Sequence, residues 1–368
     1  MGNYRDLDTP ALIIDRDKVL DNIKFVQNYA NRFGVALRPH TKTHKMPHLA
    51  KLQLQAGAKG ITVAKVEEAE VMAQNGIRDI FIANEIVGKL KLEKIKTLAR
   101  DIDISFGVDC IEHVLEIENI FQGEDKKAQV LIEIEVGENR SGVIKEKDFV
   151  NLIEYIKTCK NVYLKGIFSH EGFTYGAKDV EELKEMFIQS QSLTLKFAKL
   201  AKKHGYDLEV VSIGATPPTT HNLDILDGIT EIRPGTYILM DIGQGNAIKS
   251  YDRCAATVLA TVISRPTEER VIIDVGAKGL TMQTRTAGIC ATEGLGYIKD
   301  YGIYIDKVYD EHGIIYNKEF RDKIKVGDKI EIIPNHICPV CNLYDKAYLV
   351  SRGKVVEEVE IACRGKLR

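Results

Sequence analysis

The chain has 368 residues, 44% hydrophobic and 28% charged, with 51 basic against 53 acidic side chains and a formal net charge of −2. That composition belongs to a soluble globular protein long enough for one large domain and one smaller one. The even balance gives no electrostatic footing for a nucleic acid or an anionic membrane surface. No apolar stretch approaches the roughly 20 residues that span a bilayer. The N-terminal residues Met1-Gly2-Asn3-Tyr4-Arg5-Asp6 have neither the basic nor the apolar region of a secretory signal. Seven cysteines spread thinly over the chain form no disulfide framework. The expectation is a cytoplasmic protein with free or buried thiols, Cys338 and Cys341 being set apart below.

The segment Thr9-Pro10-Ala11-Leu12-Ile13-Ile14-Asp15 reads as an apolar strand ahead of the main domain. Asp15 is a good N-cap, and Val19, Leu20, Ile23, Val26, Ala30 and Phe33 follow at helical spacing until Gly34 ends the helix. Short apolar runs then predict strands at 35–37, 60–63, 80–83, 102–106, 128–135, 163–168, 208–212 and 229–233. Amphipathic stretches predict helices at 45–55, 65–75, 87–99, 110–121, 147–158 and 180–204, with a short, mostly loop connection before the last strand. Several of these runs taken singly also fit a buried helix segment. Regular alternation over eight units favours a closed (β/α)8 barrel, spanning residues 16–248, over an open doubly wound sheet. Beyond residue 250 the runs at 254–264, 270–275, 303–308, 329–333, 347–350 and 354–359 are rich in Val, Ile, Thr and Ala and separated by turns. They predict a smaller, mainly antiparallel β domain of residues 249–368, which the N-terminal strand (1–15) joins. The fold class is α/β.

Lys42 stands in Arg38-Pro39-His40-Thr41-Lys42-Thr43-His44-Lys45, directly after the first predicted barrel strand. Catalytic side chains of such barrels gather at the C-terminal strand ends. A lysine shielded from water there can lose its proton and attack a carbonyl to form a Schiff base. After the seventh strand comes Ser212-Ile213-Gly214-Ala215-Thr216-Pro217, and after the eighth Arg233-Pro234-Gly235-Thr236-Tyr237. Small residues and hydroxyls on these two loops suit an anion, and phosphate sites of barrels are often built there. Two ordinary glycine turns would look the same one at a time; beside Lys42 they read as a phosphate cradle. A lysine with a phosphate cradle points to pyridoxal 5'-phosphate (PLP), whose aldehyde bonds the amine and whose ring accepts electrons from a substrate carbanion.

These segments, with Thr9-Pro10-Ala11-Leu12, resemble the D-threonine aldolase and D-serine dehydratase family, PLP enzymes of the alanine-racemase type, and the resemblance runs through essentially the whole chain. It implies Lys42 as the cofactor lysine, with Lys45 a solvated first-turn residue of the next helix. It places Arg140, in Gly137-Glu138-Asn139-Arg140-Ser141-Gly142, against the cofactor's ring oxygen. It puts His170 beside the pyridine ring and the Tyr175 hydroxyl at the ring nitrogen, where a neutral partner limits the lifetime of a full carbanion. Ser212, Gly214, Thr216, Gly235, Thr236 and Tyr237 would complete the cofactor site. An arginine on a surface turn and a structural His or Tyr in a loop are the plain alternatives.

The third constellation is Pro334-Asn335-His336-Ile337-Cys338-Pro339-Val340-Cys341-Asn342-Leu343-Tyr344-Asp345. His-x-Cys in an extended segment would send both side chains to one face, a two-ligand, partly open metal site. The resemblance implies a divalent ion there that engages the substrate's 3-hydroxyl, zinc if thiolate decides, manganese or magnesium in the family's carboxylate form. Cys338-x-x-Cys341 also reads as an isolated redox or structural-zinc pair. His312, in Asp310-Glu311-His312-Gly313, is a candidate substrate contact or acid–base group, and Asp274-Val275-Gly276-Ala277-Lys278 supports the β-domain fold.

The resemblance therefore implies a PLP- and metal-dependent lyase of D-3-hydroxy amino acids that assembles as a homodimer. Asn342-Leu343-Tyr344-Asp345 is similar to the aldolases and Cys338 to the dehydratases. D-threonine cleavage to glycine and acetaldehyde is the first expectation, D-serine or D-threonine dehydration to a 2-oxo acid and ammonia the second. A racemase would need a second acid–base group on the cofactor's opposite face, which no residue pattern supplies. A non-catalytic carrier of the cofactor is disfavoured by the added β domain and metal pair.

Overall fold

The computed structural model describes residues 2–368. Two compact units share the chain. The larger holds Val26–Lys42, Leu49–Gly235 and Gly365–Arg368; the other holds residues up to Phe25, Thr43–His48 and Thr236–Arg364. The seam thus falls at Gly235, ahead of residue 248, and the first helix, Arg16–Phe33, is divided between the units.

In the larger unit, eight strands follow the N-terminal strand β1 (Ala11–Asp15): β2 (Ala36–Leu37), β3 (Ile61–Val63), β4 (Asp79–Glu85), β5 (Asp103–Val108), β6 (Ala128–Ile134), β7 (Val162–Ser169), β8 (Val210–Ile213) and β9 (Glu231–Ile232). All their pairings are parallel, in the order β2-β9-β8-β7-β6-β5-β4-β3. The sheet closes where β2 runs on: Thr62 N–H donates to Pro39 O at 2.8 Å, and His40 bridges Thr62. The eight predicted strands are these eight, within two residues at each end.

The helices between them form for ordinary reasons. Helix Glu146–Thr158 buries Phe149, Leu152, Ile153 and Ile156, one stripe at helical spacing. Asp179 caps Val180–Lys203 by accepting from the Glu182 amide, and Gly34, at φ +65°, ends the first helix in the left-handed region. The loop before β9 carries one short helix, Thr216–Thr220.

The barrel interior is half apolar, half charged. Phe81, Leu131, Phe168 and Val210 form its apolar plug, with Phe81 and Phe168 edge to face at 5.0 Å. Around it lies a buried ionic network. Arg38 donates to Glu231 at 2.8 Å and to Asp79 at 2.5 Å, and Glu231 also accepts from the Ser212 hydroxyl at 2.7 Å. Burial alone would raise the Glu231 carboxyl, yet Arg38 and Ser212 hold it below its ordinary value.

The other unit is built on a mainly antiparallel sheet. β1 pairs antiparallel with β10 (Ala256–Ser264) and parallel with Lys346–Ser351, which makes this unit discontinuous in sequence. β10 also pairs with Lys329–Ile333 and with β11 (Arg270–Ile273), and β11 with Gly313–Tyr316. Asp274 ties this sheet together, accepting from Thr9 Oγ1 at 2.5 Å and from the Thr261 amide at 2.7 Å. Among the described residues no helix is long and apolar enough to cross a membrane.

Candidate active site

Lys42 lies in a short 3-10 turn, Thr41–Thr43, just past the C-terminal end of β2, the barrel end expected to carry chemistry. Its charge acts on two imidazoles. His40 Nδ1 accepts the Lys42 amide at 3.5 Å, and burial, then Lys42 and Arg233, hold that ring well below its ordinary pKa. His170, past the end of β7, is lowered to about 3, first by burial and then by Lys42 and Arg140. Both rings are therefore neutral at physiological pH. His170 Nδ1 lies 2.5 Å from Gly214 O and so carries the proton, which leaves the lone pair on Nε2.

The β8 and β9 loops meet the same end of the barrel. Gly214 needs to be glycine, since a Cβ would sit 2.9 Å from the Arg233 Cβ. Its amide donates to Glu171 at 2.8 Å, and the buried Ser212 hydroxyl is taken up by Glu231 and by Arg233, the latter at 2.5 Å. Neither of these groups is left over for a phosphate. Thr216 is: its Oγ1 is buried and has no hydrogen-bond partner, while its amide reaches the Tyr175 hydroxyl at 3.4 Å. A buried hydroxyl without a partner is costly unless a ligand supplies one. The residues present thus fit an anionic group at Thr216. Tyr175 stands beside that loop. Gly235 ends the larger unit, and Thr236 and Tyr237, both buried, open a 3-10 turn in the other.

Sequence reasoning passed over several acidic and basic groups here. Glu171 is fully buried between the Ser169 hydroxyl and the Gly214 amide, and burial lifts its carboxyl to about 7 against the pull of Arg233. Arg233 donates to Ser169 O at 2.6 Å and lies over the Phe168 ring at 5.2 Å. Arg140 is half exposed and pairs with buried Glu133 at 3.3 Å. Glu133 in turn acts on Glu85, whose carboxyl is pushed up to about 9 by burial first and then by Glu133. Asp109, Cys110 and His113 are, among the described residues, the one group of three potential metal donors within reach of each other. That group is closed on itself: the Asp109 amide donates to His113 Nδ1 and its carboxylate accepts from Gly142.

In the β unit the His336–Cys338 segment differs from expectation. It is not extended: His336 is the N-cap of a helix Ile337–Cys341, and Pro339 sits in the first turn, where a proline costs no hydrogen bond. His336 Nδ1 faces Gln283 Oε1 at 2.9 Å, an arrangement that fixes the tautomer with its lone pair on Nε2. Cys338 Sγ lies 3.3 Å from Thr43 Oγ1 and 3.7 Å from Thr236 Oγ1. An oriented imidazole and a partly exposed thiol are a donor set that suits a borderline-soft divalent ion. Cys341 is a different matter. It is fully buried, and burial followed by the charge of Cys338 keeps its thiol protonated. No disulfide joins the two. His312 lies on an exposed turn, whose Glu311 pairs with Lys278 at 2.7 Å. Lys45 is a correction: it is not a solvated first-turn residue but buried, at φ +58° ahead of the helix Pro47–Gln55, with Nζ donating to Cys363 O at 3.3 Å.

Comparison with known proteins agrees with this geometry. Residues 14–242 match the alanine racemase N-terminal domain family and residues 255–350 a putative serine dehydratase domain. The chain is 32% identical to a D-threonine aldolase of an Arthrobacter species, over 98% of this chain and 93% of that one. It is 30% identical to the D-threo-3-hydroxyaspartate dehydratase of Delftia sp. (strain HT23), over 90% and 91%. The crystal structure of D-threonine aldolase from Filomicrobium marinum superposes with a TM-score of 0.89 at 28% identity, covering 100% of this chain and 99% of that one.

Proposed function

The chain belongs to the alanine racemase N-terminal domain family of fold type III PLP enzymes, and on that premise we propose that it is a D-threonine aldolase, splitting D-threonine into glycine and acetaldehyde. The coarser statement stands without the proposal: it is a PLP-dependent lyase of D-3-hydroxy amino acids, using a divalent metal. The aldolase choice rests on the similarity to an aldolase along 98% of the chain. Dehydration to a 2-oxo acid and ammonia is the second reading, favoured by the thiol at Cys338 and by the dehydratases among the relatives.

The observation that carries the site assignment is the set of groups around Lys42: two neutral imidazoles, a buried arginine and a partnerless Thr216 hydroxyl, all at one barrel end. Lys42 would hold PLP through its aldehyde, and Thr216 with the backbone of its loop would hold the phosphate. Gly235, Thr236 and Tyr237 belong to the same proposed set. Arg140 would face the ring oxygen, His170 the ring, and Tyr175 the ring nitrogen. PLP when bound supplies an electron sink for the bond that breaks. Neutral His170 donates its Nδ1 proton to Gly214 O and therefore offers the ring a lone pair, not a charge. Lys42 would also be the group able to take or return a proton at the substrate's Cα. His336 and Cys338 would hold the divalent ion, zinc by their chemistry or manganese or magnesium, which would supply Lewis acidity at the substrate's 3-hydroxyl. His312 is the proposed acid–base or substrate contact. A homodimer and a cytoplasmic location complete the proposal; the seven free cysteines support a reducing compartment.

Product analysis decides between the readings. The proposal expects glycine and acetaldehyde from D-threonine in the presence of divalent metal. Ammonia and 2-oxobutanoate instead would establish the dehydratase, and turnover of neither D-threonine nor D-serine by the PLP-loaded protein would refute both.

A further inference from the structure

We propose that Glu133 is the positioning residue for Arg140, its carboxylate sharing one proton with Glu85 inside the barrel. The inference rests on the reading that Arg140 faces the bound cofactor.

The argument begins with strand alternation. On β4, Phe81 and Ala83 pack with Leu131 of β6 and Phe168 of β7 in the barrel's apolar plug. Side chains two apart on a strand share a face, so Glu133, two residues past Leu131, points to the same interior; β4 is irregular between Ile82 and Glu85, but the pairings Phe81 with Ser105 and Glu85 with Gly107 keep Glu85 on the face of Phe81. β5 runs between β4 and β6, and its residue in register with Glu85 is Gly107. A Cβ at Gly107 would sit 2.8 Å from Asn84 O and 3.1 Å from Phe168 Cζ. Gly107 is level with Leu131 on its other side, so β5 contributes no side chain beside Glu85 itself, and Glu133, two residues past Leu131, comes close enough to act on the Glu85 carboxyl.

Two ionised carboxylates cannot share such a place, so the pair keeps one proton and a single negative charge. Glu85 is the partner that stays neutral: its Oε1 is sealed from water without a hydrogen-bond partner, whereas Glu133 accepts from Arg140 at 3.3 Å and from the Ser141 hydroxyl at 2.8 Å. Burial, then the contact with Glu133, raises the Glu85 carboxyl to about 9. Other charged groups facing the pair are Asp109 after β5, which raises Glu85 further, and His113, its partner at 3.3 Å. One cation, Arg140, faces one net charge on the pair. Arg140 is half exposed where it would otherwise swing freely, and its charge is felt at His170. A buried carboxylate at its base fixes the direction in which the guanidinium points.

The test follows the absorbance band of the PLP-loaded protein as a function of pH, with thermal unfolding as a control on folding. Arg140→Ala should raise the pH at which the band titrates, because a cation that favours the ionised chromophore is gone. Glu133→Gln should shift the titration in the same direction, and the double variant should titrate where Arg140→Ala does. Ser141→Ala, which cuts the other tie of the same loop to Glu133, should leave the band unmoved. Glu85→Gln should titrate as the unaltered protein does below pH 8 and lose any further step near pH 9. If Glu133→Gln does not fold, Glu133→Asp, with its carboxylate withdrawn by one methylene, should show the same shift in weaker form. A shift with Arg140→Ala but none with Glu133→Gln or Glu133→Asp overturns the inference and leaves the Arg140 reading intact. An additional shift in the double variant overturns it too, since Glu133 would then act directly. A band indifferent to Arg140→Ala overturns both.

Discussion

Replacing Thr216 by valine separates what this side chain does for the fold from what it does for the cofactor. The two residues have nearly the same shape, so packing is conserved, and the change deletes only the hydroxyl that is buried without a partner. An unsatisfied buried hydroxyl costs about 1–3 kcal/mol. Removing it should make the cofactor-free protein no less stable, and up to that much more stable. The loaded protein should behave in the opposite way. A hydrogen bond to an anionic oxygen is worth roughly 1.5–3 kcal/mol, so PLP should bind roughly 10- to 150-fold more weakly. Thr216→Ser keeps the donor and should bind close to the original affinity. Titration of the cofactor-free variants with PLP, followed by absorbance, and denaturant unfolding of the same samples give both numbers. Valine that binds PLP as tightly as threonine, or that destabilises the cofactor-free protein by more than about 1 kcal/mol, would refute the reasoning.

Two further outcomes follow from the same structure. Glu85 has a folded-state pKa raised from the ordinary 4.5 to about 9, so between those pH values the native state binds more protons than the unfolded chain. Its contribution to stability is intact below pH 4.5 and is lost as pH rises through that window, by at most about 1.4 kcal/mol per pH unit; denaturant midpoints of Glu85→Gln should gain on the unaltered protein from pH 5 to pH 9, and parallel curves would contradict this. Cys338→Asp replaces a soft donor by a hard one. Metal content after dialysis against equal zinc and manganese should move from zinc toward manganese, and an unchanged ratio would remove Cys338 from the metal site.

Much of the barrel was legible because its signals are local. Each strand is an apolar run closed by a turn, and caps such as Asp15 and Asp179 sit where a helix needs them. The position of Lys42 was legible for a similar reason: the first strand's end could be located, and Lys42 follows it directly. The misplacements arise where long-range structure decides. Lys45 looks like a solvated charge until the Cys363 carbonyl comes in to accept its hydrogen bond. His336-Ile337-Cys338 looks extended because a proline follows, but Pro339 occupies the first turn of a helix, where it is tolerated. Glu85 and Glu133 end ordinary strands and read singly as solvent-facing charges. Only the strand order β4-β5-β6 brings them together. The Arg38–Glu231–Ser212–Arg233 network is likewise invisible locally, since its members lie on opposite ends of the chain segment that closes the barrel.

Reduction of the PLP-loaded protein with borohydride, followed by peptide mapping, tests the centre of this account. The phosphopyridoxyl label should be found on the peptide carrying Lys42 and should vanish in Lys42→Ala. A label on any other lysine, or none at all, would contradict it.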